Sequence, residues 1–210
     1  MNITIIGASA GVGLEAVKIA LQRNHHVTTL SRSEIPLSGK ANLTLIKGSA
    51  TSKADLFTSI GKADAVIVAF GTGKSTKPTT IYSDFAKLLV EVQQESNTQI
   101  PFLILTGFGA GESGKYNSFF MKLIFKFLLK AVYDDKTKME EIISQSKMKW
   151  EIVRPGRLLD DALTEKYRVE TTLFKAMNIG GINRANVADY LIKQAENPTE
   201  LYKYPALSNQ

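Results

Sequence analysis

The chain has 210 residues, 44% of them apolar and 22% charged, and its 26 Lys and Arg against 20 Asp and Glu leave a formal charge of +6. A chain of this length and composition reads as one globular domain burying roughly 70% of its unfolded surface. With no cysteine and two histidines, a disulfide framework, a thiolate zinc site, an iron–sulfur cluster and a cysteine nucleophile are excluded, and no metal is expected. The positive excess would suit nucleic acid, an acidic lipid surface or a phosphorylated small molecule. It is spread along the chain without interleaved aromatics or a helix-turn-helix pattern, so no nucleic-acid partner is expected. The opening Met1–Ile6 lacks the features of a secretory signal, and a cytoplasmic location is expected.

In chain order, strand-length apolar runs at Ile3–Ile6, Val27–Leu30, Leu43–Ile46, Ala65–Ala69, Phe102–Leu105 and Ile152–Val153 alternate with helical patterns. The helices read Val12–Arg23, Ala54–Ile60, Tyr82–Glu95, Phe119–Ser146 and Asn186–Glu196. This alternation predicts an α/β fold, with a mainly parallel sheet and helices on both faces. The runs are nearly all apolar, as strands covered on both sides require. After Pro155 the rhythm weakens, and that tail is expected to pack around the carboxyl ends of the strands, where open α/β sheets bind ligands.

Gly7-Ala8-Ser9-Ala10-Gly11-Val12-Gly13 follows the first strand and opens the first helix. In that position Gly7 makes a tight turn, Gly11 or its neighbour lets backbone approach a pyrophosphate, and Gly13 allows close helix–strand packing. Amides at the helix start then face phosphates. The second strand ends Leu30-Ser31-Arg32-Ser33, without the acid that would bond an adenosine ribose. Arg32, with Ser31 and Ser33 beside it, suits a 2′-phosphate, and the expected cofactor is NADPH in preference to NADH. His25-His26 reads as a turn and strand start. Asp160-Asp161 reads as a loop cap or solvated pair.

Further segments carry a resemblance: Asp64–Thr72, Asp135-Lys136-Thr137-Lys138-Met139-Glu140, Trp150–Leu158, Tyr167-Arg168-Val169 and Ile182–Asp189. With the first turn they make the chain similar, nearly end to end, to atypical short-chain dehydrogenases/reductases. It lies close to the NmrA-like NAD(P)H-binding proteins and the biliverdin reductase B/flavin reductase group. The resemblance implies a single Rossmann-type doubly wound domain over residues 1–210, with substrate-covering elements within 107–133 and 155–183. It also implies dinucleotide contacts from the first turn, Arg32, Ser49, Ala50 and Phe70, while Gly71, Thr72, Thr106, Gly107, Lys136 and Pro155 surround ribose and nicotinamide.

Three departures matter. Ala10 stands where relatives have glycine, and Gly48-Ser49-Ala50 lacks the Asp that relatives use near the adenine. The Tyr-x-x-x-Lys catalytic pair is absent: with Lys136 in the lysine position the tyrosine position holds Val132, and Tyr133 is displaced by roughly 100° around the helix. No acid for carbonyl–alcohol chemistry is evident after Leu105. The expected reaction is hydride transfer to a flavin such as FMN, a quinone or a similar conjugated acceptor, with Lys136 holding the nicotinamide ribose. Phe108, Phe120 and Tyr133 are candidates to stack on a flat acceptor, and Arg157 to meet an anionic one. The rival reading is a non-catalytic NAD(P)H-sensing regulator of NmrA-like type.

Gly107–Gly114 reads as a mobile loop. The helix after it carries Lys122, Lys126 and Lys130 as one polar stripe on an otherwise apolar surface. It is too short to span a membrane. It is read as packed on the sheet, covering the nicotinamide pocket or meeting a second subunit with its lysines snorkelling to solvent, rather than lying on a membrane. A monomer or homodimer is expected.

Overall fold

The structure, a computed structural model, describes the chain except Ser38, Lys40, Lys74, Ser118, Lys175, Ala176 and Asn178, and except the side chains of Phe119, Phe120, Phe125 and Lys126. Ten strands run β1 Asn2–Ile6, β2 His26–Ser31, β3 Leu43–Lys47, β4 Ala65–Val68, β5 Pro101–Leu105, β6 Lys149–Pro155, β7 Arg157–Leu159, β8 Tyr167–Glu170, β9 Gly181–Asn183 and β10 Ala206–Asn209. The helices are α1 Gly11–Gln22, α2 Lys53–Ile60, α3 Ile81–Ser96, α4 Phe119–Ile124, α5 Lys130–Ser144 and α6 Arg184–Glu196.

Eight strands form one sheet in the order β3-β2-β1-β4-β5-β6-β10-β8, all parallel except β8, which runs antiparallel to β10. The order runs outward from β1 in one direction and from β4 in the other, so the topological switch point, with its crevice, lies at the carboxyl ends of β1 and β4. Each strand sends alternate side chains to opposite faces. Ile3, Ile5, Ile67, Leu103 and Val153 pack beneath α1 and α6, while Ile6, Val66, Val68, Phe102, Ile104 and Ile152 pack with residues of α2, α3 and α5. This is a doubly wound Rossmann-type fold, and its two covered faces explain the unbroken apolar runs. The edge strand β3 is an exception, with Leu45 half-exposed.

The tail departs from the sequence reading. β7 and β9 pair at the carboxyl side of the fold, but β8 and β10 extend the main sheet beyond β6. The segment Tyr167–Glu170 alternates apolar and polar residues over only four positions, too short a pattern to stand out, and pairs antiparallel with β10. The helix expected over Phe119–Ser146 is present as an unbroken helical run to Ser144, interrupted in its hydrogen-bond pattern by a π-helical turn, Phe125–Leu129, between α4 and α5. The expected mobile loop after β5 is instead pinned down. Gly111–Tyr116 forms a 3₁₀ turn, Ser113 Oγ donates to the Ala110 carbonyl, and the Gly111 amide donates to Thr137 Oγ1.

Candidate functional site

At the switch point the first turn wraps a cavity of about 780 Å³. Gly7 has φ +89°, and a Cβ built there would come within 2.4 Å of the Phe70 backbone nitrogen on the neighbouring strand's extension. A Cβ on Gly13 would meet the Gly7 carbonyl oxygen at 2.2 Å, so helix α1 can sit this close to β1 only without side chains at both positions. Gly11, at φ +59°, opens α1, whose first turn carries neither a side-chain cap nor an acidic residue. Its first amides are thereby left for a ligand, and an anion is what they attract. The cradle fits a diphosphate.

Gly7, Ser9, Ala10, Gly11 and Val12 border the cavity, with Ser31, Arg32 and Ser33 from the end of β2 and Ser49 and Ala50 after β3. Ser31 Oγ is committed to the Ser33 carbonyl at 2.7 Å. Arg32 is exposed and makes no ion pair among the described residues. The segment after β3 is held by Asp55 of α2, whose Oδ2 accepts from the Ser49 amide at 2.8 Å. Gly48 is what lets it approach, because a Cβ there would lie 2.6 Å from that oxygen.

Phe70, Gly71, Thr72, Thr106 and Lys136 also line the cavity. Thr72 is held by its amide, which donates to the Tyr82 hydroxyl at 3.2 Å. Thr106 points its hydroxyl away from the cavity, donating to Glu140 Oε1 at 2.7 Å, and its carbonyl accepts from Lys136 Nζ at 2.7 Å. The Lys136 ammonium stands 5.4 Å from the Tyr82 ring centroid and 5.0 Å from that of Tyr133. Burial pulls it down to about 8, against the opposing effect of Glu140. Tyr133 is pushed up to about 12, chiefly by burial, then by Tyr82 and Glu140, and so stays a neutral phenol at physiological pH. Three residues apart on α5, Tyr133 and Lys136 share one helix face despite the irregular spacing.

The neighbour of Lys136 explains how these groups are aligned. Asp135, almost fully buried, accepts from the amides of Tyr82 and Ser83 at the start of α3 and from the Ser83 hydroxyl. An acid at a helix N-terminus satisfies orphan amides and complements the helix dipole. The start of α3, with Tyr82, is thereby locked against the turn of α5 that carries Tyr133 and Lys136.

Five expected site residues lie elsewhere. Gly13 sits beneath the turn as a packing position. Gly107, at φ +152°, backs onto Tyr133, whose hydroxyl would be 2.9 Å from a Cβ there. Pro155 is buried, its carbonyl accepting from the Phe108 amide. Phe108 is buried with Met177 and Ala206, so it anchors the loop after β5 and does not face an acceptor. Arg157 is exposed on β7, away from the cavity wall. Phe120 falls on α4, and its side chain lies outside the described residues. Sequence reasoning missed Tyr82, read only as a helix start, and Leu158, Asp160 and Arg184, which border the cavity from the tail. Arg184 lay within a segment already singled out, but nothing in its spacing marks a cavity.

Leu129, the last residue of the π-helical turn, and Val132 and Tyr133 of α5 line the cavity. Leu123, Phe127 and Leu128 are exposed. Among the described residues no helix is long and apolar enough to cross a membrane.

A family profile described as NAD(P)H-binding matches residues 7–198. The chain belongs to this NAD(P)H-binding family. Solved structures share its fold over nearly the whole length. SP1627 of Streptococcus pneumoniae TIGR4, described as a candidate NADH-flavin reductase, is 23% identical, with 100% of each chain covered and a TM-score of 0.80. ChuY of Escherichia coli O157:H7, described as an anaerobilin reductase, is 20% identical, with 100% of this chain and 97% of that chain covered and a TM-score of 0.77. A short-chain dehydrogenase/reductase of Veillonella parvula DSM 2008, solved in complex with NADP, is 16% identical, with 99% and 94% covered and a TM-score of 0.82. At such identities the likeness speaks for the fold, and the glycine turn stands within the matched family segment.

Proposed function

We propose that the chain is an NADPH-dependent reductase whose acceptor is a flavin, a quinone or a similar flat conjugated molecule. The observation that carries this is one continuous cavity that begins at the glycine turn and Arg32 and ends between Tyr82, Tyr133 and Lys136. When bound, NADPH supplies a hydride. The residues of the chain supply positioning: the first turn and Arg32 fix the phosphate end, and the wall of Thr72, Tyr82 and Lys136 receives the ribose and nicotinamide end. Holding two flat rings face to face is the main demand of such a transfer. The acceptor's proton comes from water or from the Lys136 ammonium, which burial has brought within reach of neutral pH. The reductase descriptions of SP1627 and ChuY, proteins of the same fold, support the class of reaction.

Two measurements test this. NADPH absorbance followed with FMN, riboflavin and quinones should fall above background; tight cofactor binding with no oxidation by any acceptor would favour the sensing reading instead. Arg32→Ala should weaken NADPH roughly ten- to a hundredfold, the value of a charge-assisted hydrogen bond, and leave NADH nearly unchanged. Equal weakening of both would remove the 2′-phosphate argument.

A further inference from the structure

Arg184, the first residue of α6, forms part of the cavity wall beside the glycine turn. Its Nη1 donates to Asp160 Oδ1 at 2.6 Å. The pair stands between the main cavity and a second one of about 620 Å³, since Arg184, Asp160 and Gly11 border both. A Cβ built on Gly11 would lie 3.6 Å from Arg184 Nε and 3.7 Å from its Cδ, so the arginine lies against the glycine that opens α1.

The second cavity is lined by Glu15, Asp160 and Asp161 as well as Lys18 and Arg184, whereas the helix starts that face the glycine turn carry no acid. Neither α1 nor α6 has a side-chain N-cap or an acidic residue in its first turn, so the opening amides of both helices contribute uncompensated positive potential. Arg184 adds a full charge. A guanidinium carries five N–H donors, and among the described residues only Asp160 accepts from this one. Asp160 is 89% exposed, and an ion pair so open to water holds its partner weakly. A bidentate oxyanion is a better partner for those remaining donors than one solvated carboxylate.

We propose that Arg184 is a diphosphate-binding residue of the dinucleotide site and that Asp160 is its exchangeable counter-ion, an inference that rests on the NAD(P)H reading above. The two arginines then divide the work. Arg32 recognises the phosphate that distinguishes NADPH from NADH, whereas Arg184 acts on the phosphates common to both. Asp160, a carboxylate beside the same phosphates, competes with them for the guanidinium and repels them.

Calorimetric titration of the full chain with NADPH, NADH and ADP tests this. Arg184→Ala should weaken all three by a similar factor of about tenfold or more, Arg184→Lys should retain part of the affinity, and Asp160→Asn should tighten all three severalfold. A pair that merely ties the tail to α6 is broken by either substitution, so both would then shift binding in the same direction, with a parallel fall in melting temperature; that result overturns the proposal. Unchanged affinity of Arg184→Ala for the three nucleotides, with wild-type binding intact, overturns it as well. A wild-type chain that binds none of them would overturn the NAD(P)H reading itself, and this one with it.

Discussion

Lys136 Nζ donates a hydrogen bond to the backbone carbonyl oxygen of Thr106 at 2.7 Å. The carbonyl follows the last residue of β5, and the lysine comes from the second turn of α5, so this contact fastens an ammonium to the rim of the sheet. Two tyrosine rings flank it at cation–π distance, and the burial of the whole group favours the neutral amine.

That depressed lysine makes stability depend on pH. The folded chain holds Lys136 at about 8 and the unfolded chain at its ordinary 10.5, so between these values the unfolded state binds more protons and folding stability rises with pH. The burial of the charge costs about 3 kcal/mol below pH 8 and is relieved toward pH 10.5. Lys136→Met should therefore be at least as stable as the wild type at pH 7, with the difference shrinking by pH 10, while cofactor turnover falls. Thermal melts at the two pH values measure it; a constant difference would contradict the assignment.

Gly7→Ala should be among the most damaging single substitutions. It combines a strained φ of +89° with a Cβ 2.4 Å from the Phe70 nitrogen, a backbone atom of the adjoining chain segment that cannot swing aside. Strain and overpacking together should cost about 2–5 kcal/mol, read as a lowered urea midpoint. Gly39→Ala, also at positive φ but with nothing within 4 Å of its Cβ, should cost much less.

Behind Thr106, Glu140 and Arg154 form a buried ion pair, Nη2 to Oε2 at 2.7 Å and Nε to Oε1 at 3.2 Å, both side chains nearly inaccessible. Removing one partner strands a charge, so Arg154→Met and Glu140→Gln should each destabilise, the arginine replacement by about 3–5 kcal/mol. The double substitution Glu140→Gln/Arg154→Met should recover a large part of that loss. Urea unfolding of the cycle checks it, and simple additivity of the two losses would show that the pair is not coupled.

The order of the first six strands and the glycine turn after the first of them were legible in the chain itself. Six apolar runs alternating with helical patterns allow little but a parallel sheet covered on both faces, and Gly7, Gly11 and Gly13 directly after the first run mark a turn that needs backbone without Cβ atoms. These are local properties, written in residues a few positions apart. The strands β8 and β10 depended on partners far away along the chain, β10 on Arg154 and Pro155 of β6 and β8 on β10, and four residues apiece are too short a pattern to declare it. The same holds for the site's far end. Tyr82 reaches Lys136 because Asp135 caps α3, and Arg184 reaches Gly11 because α6 packs beside α1. Phe108 illustrates the converse: its aromatic ring was the same chemical candidate as Tyr133, and only packing sent one into a core and the other to the cavity wall. Local chemistry sets which groups a chain can offer, and tertiary packing decides which of them converge.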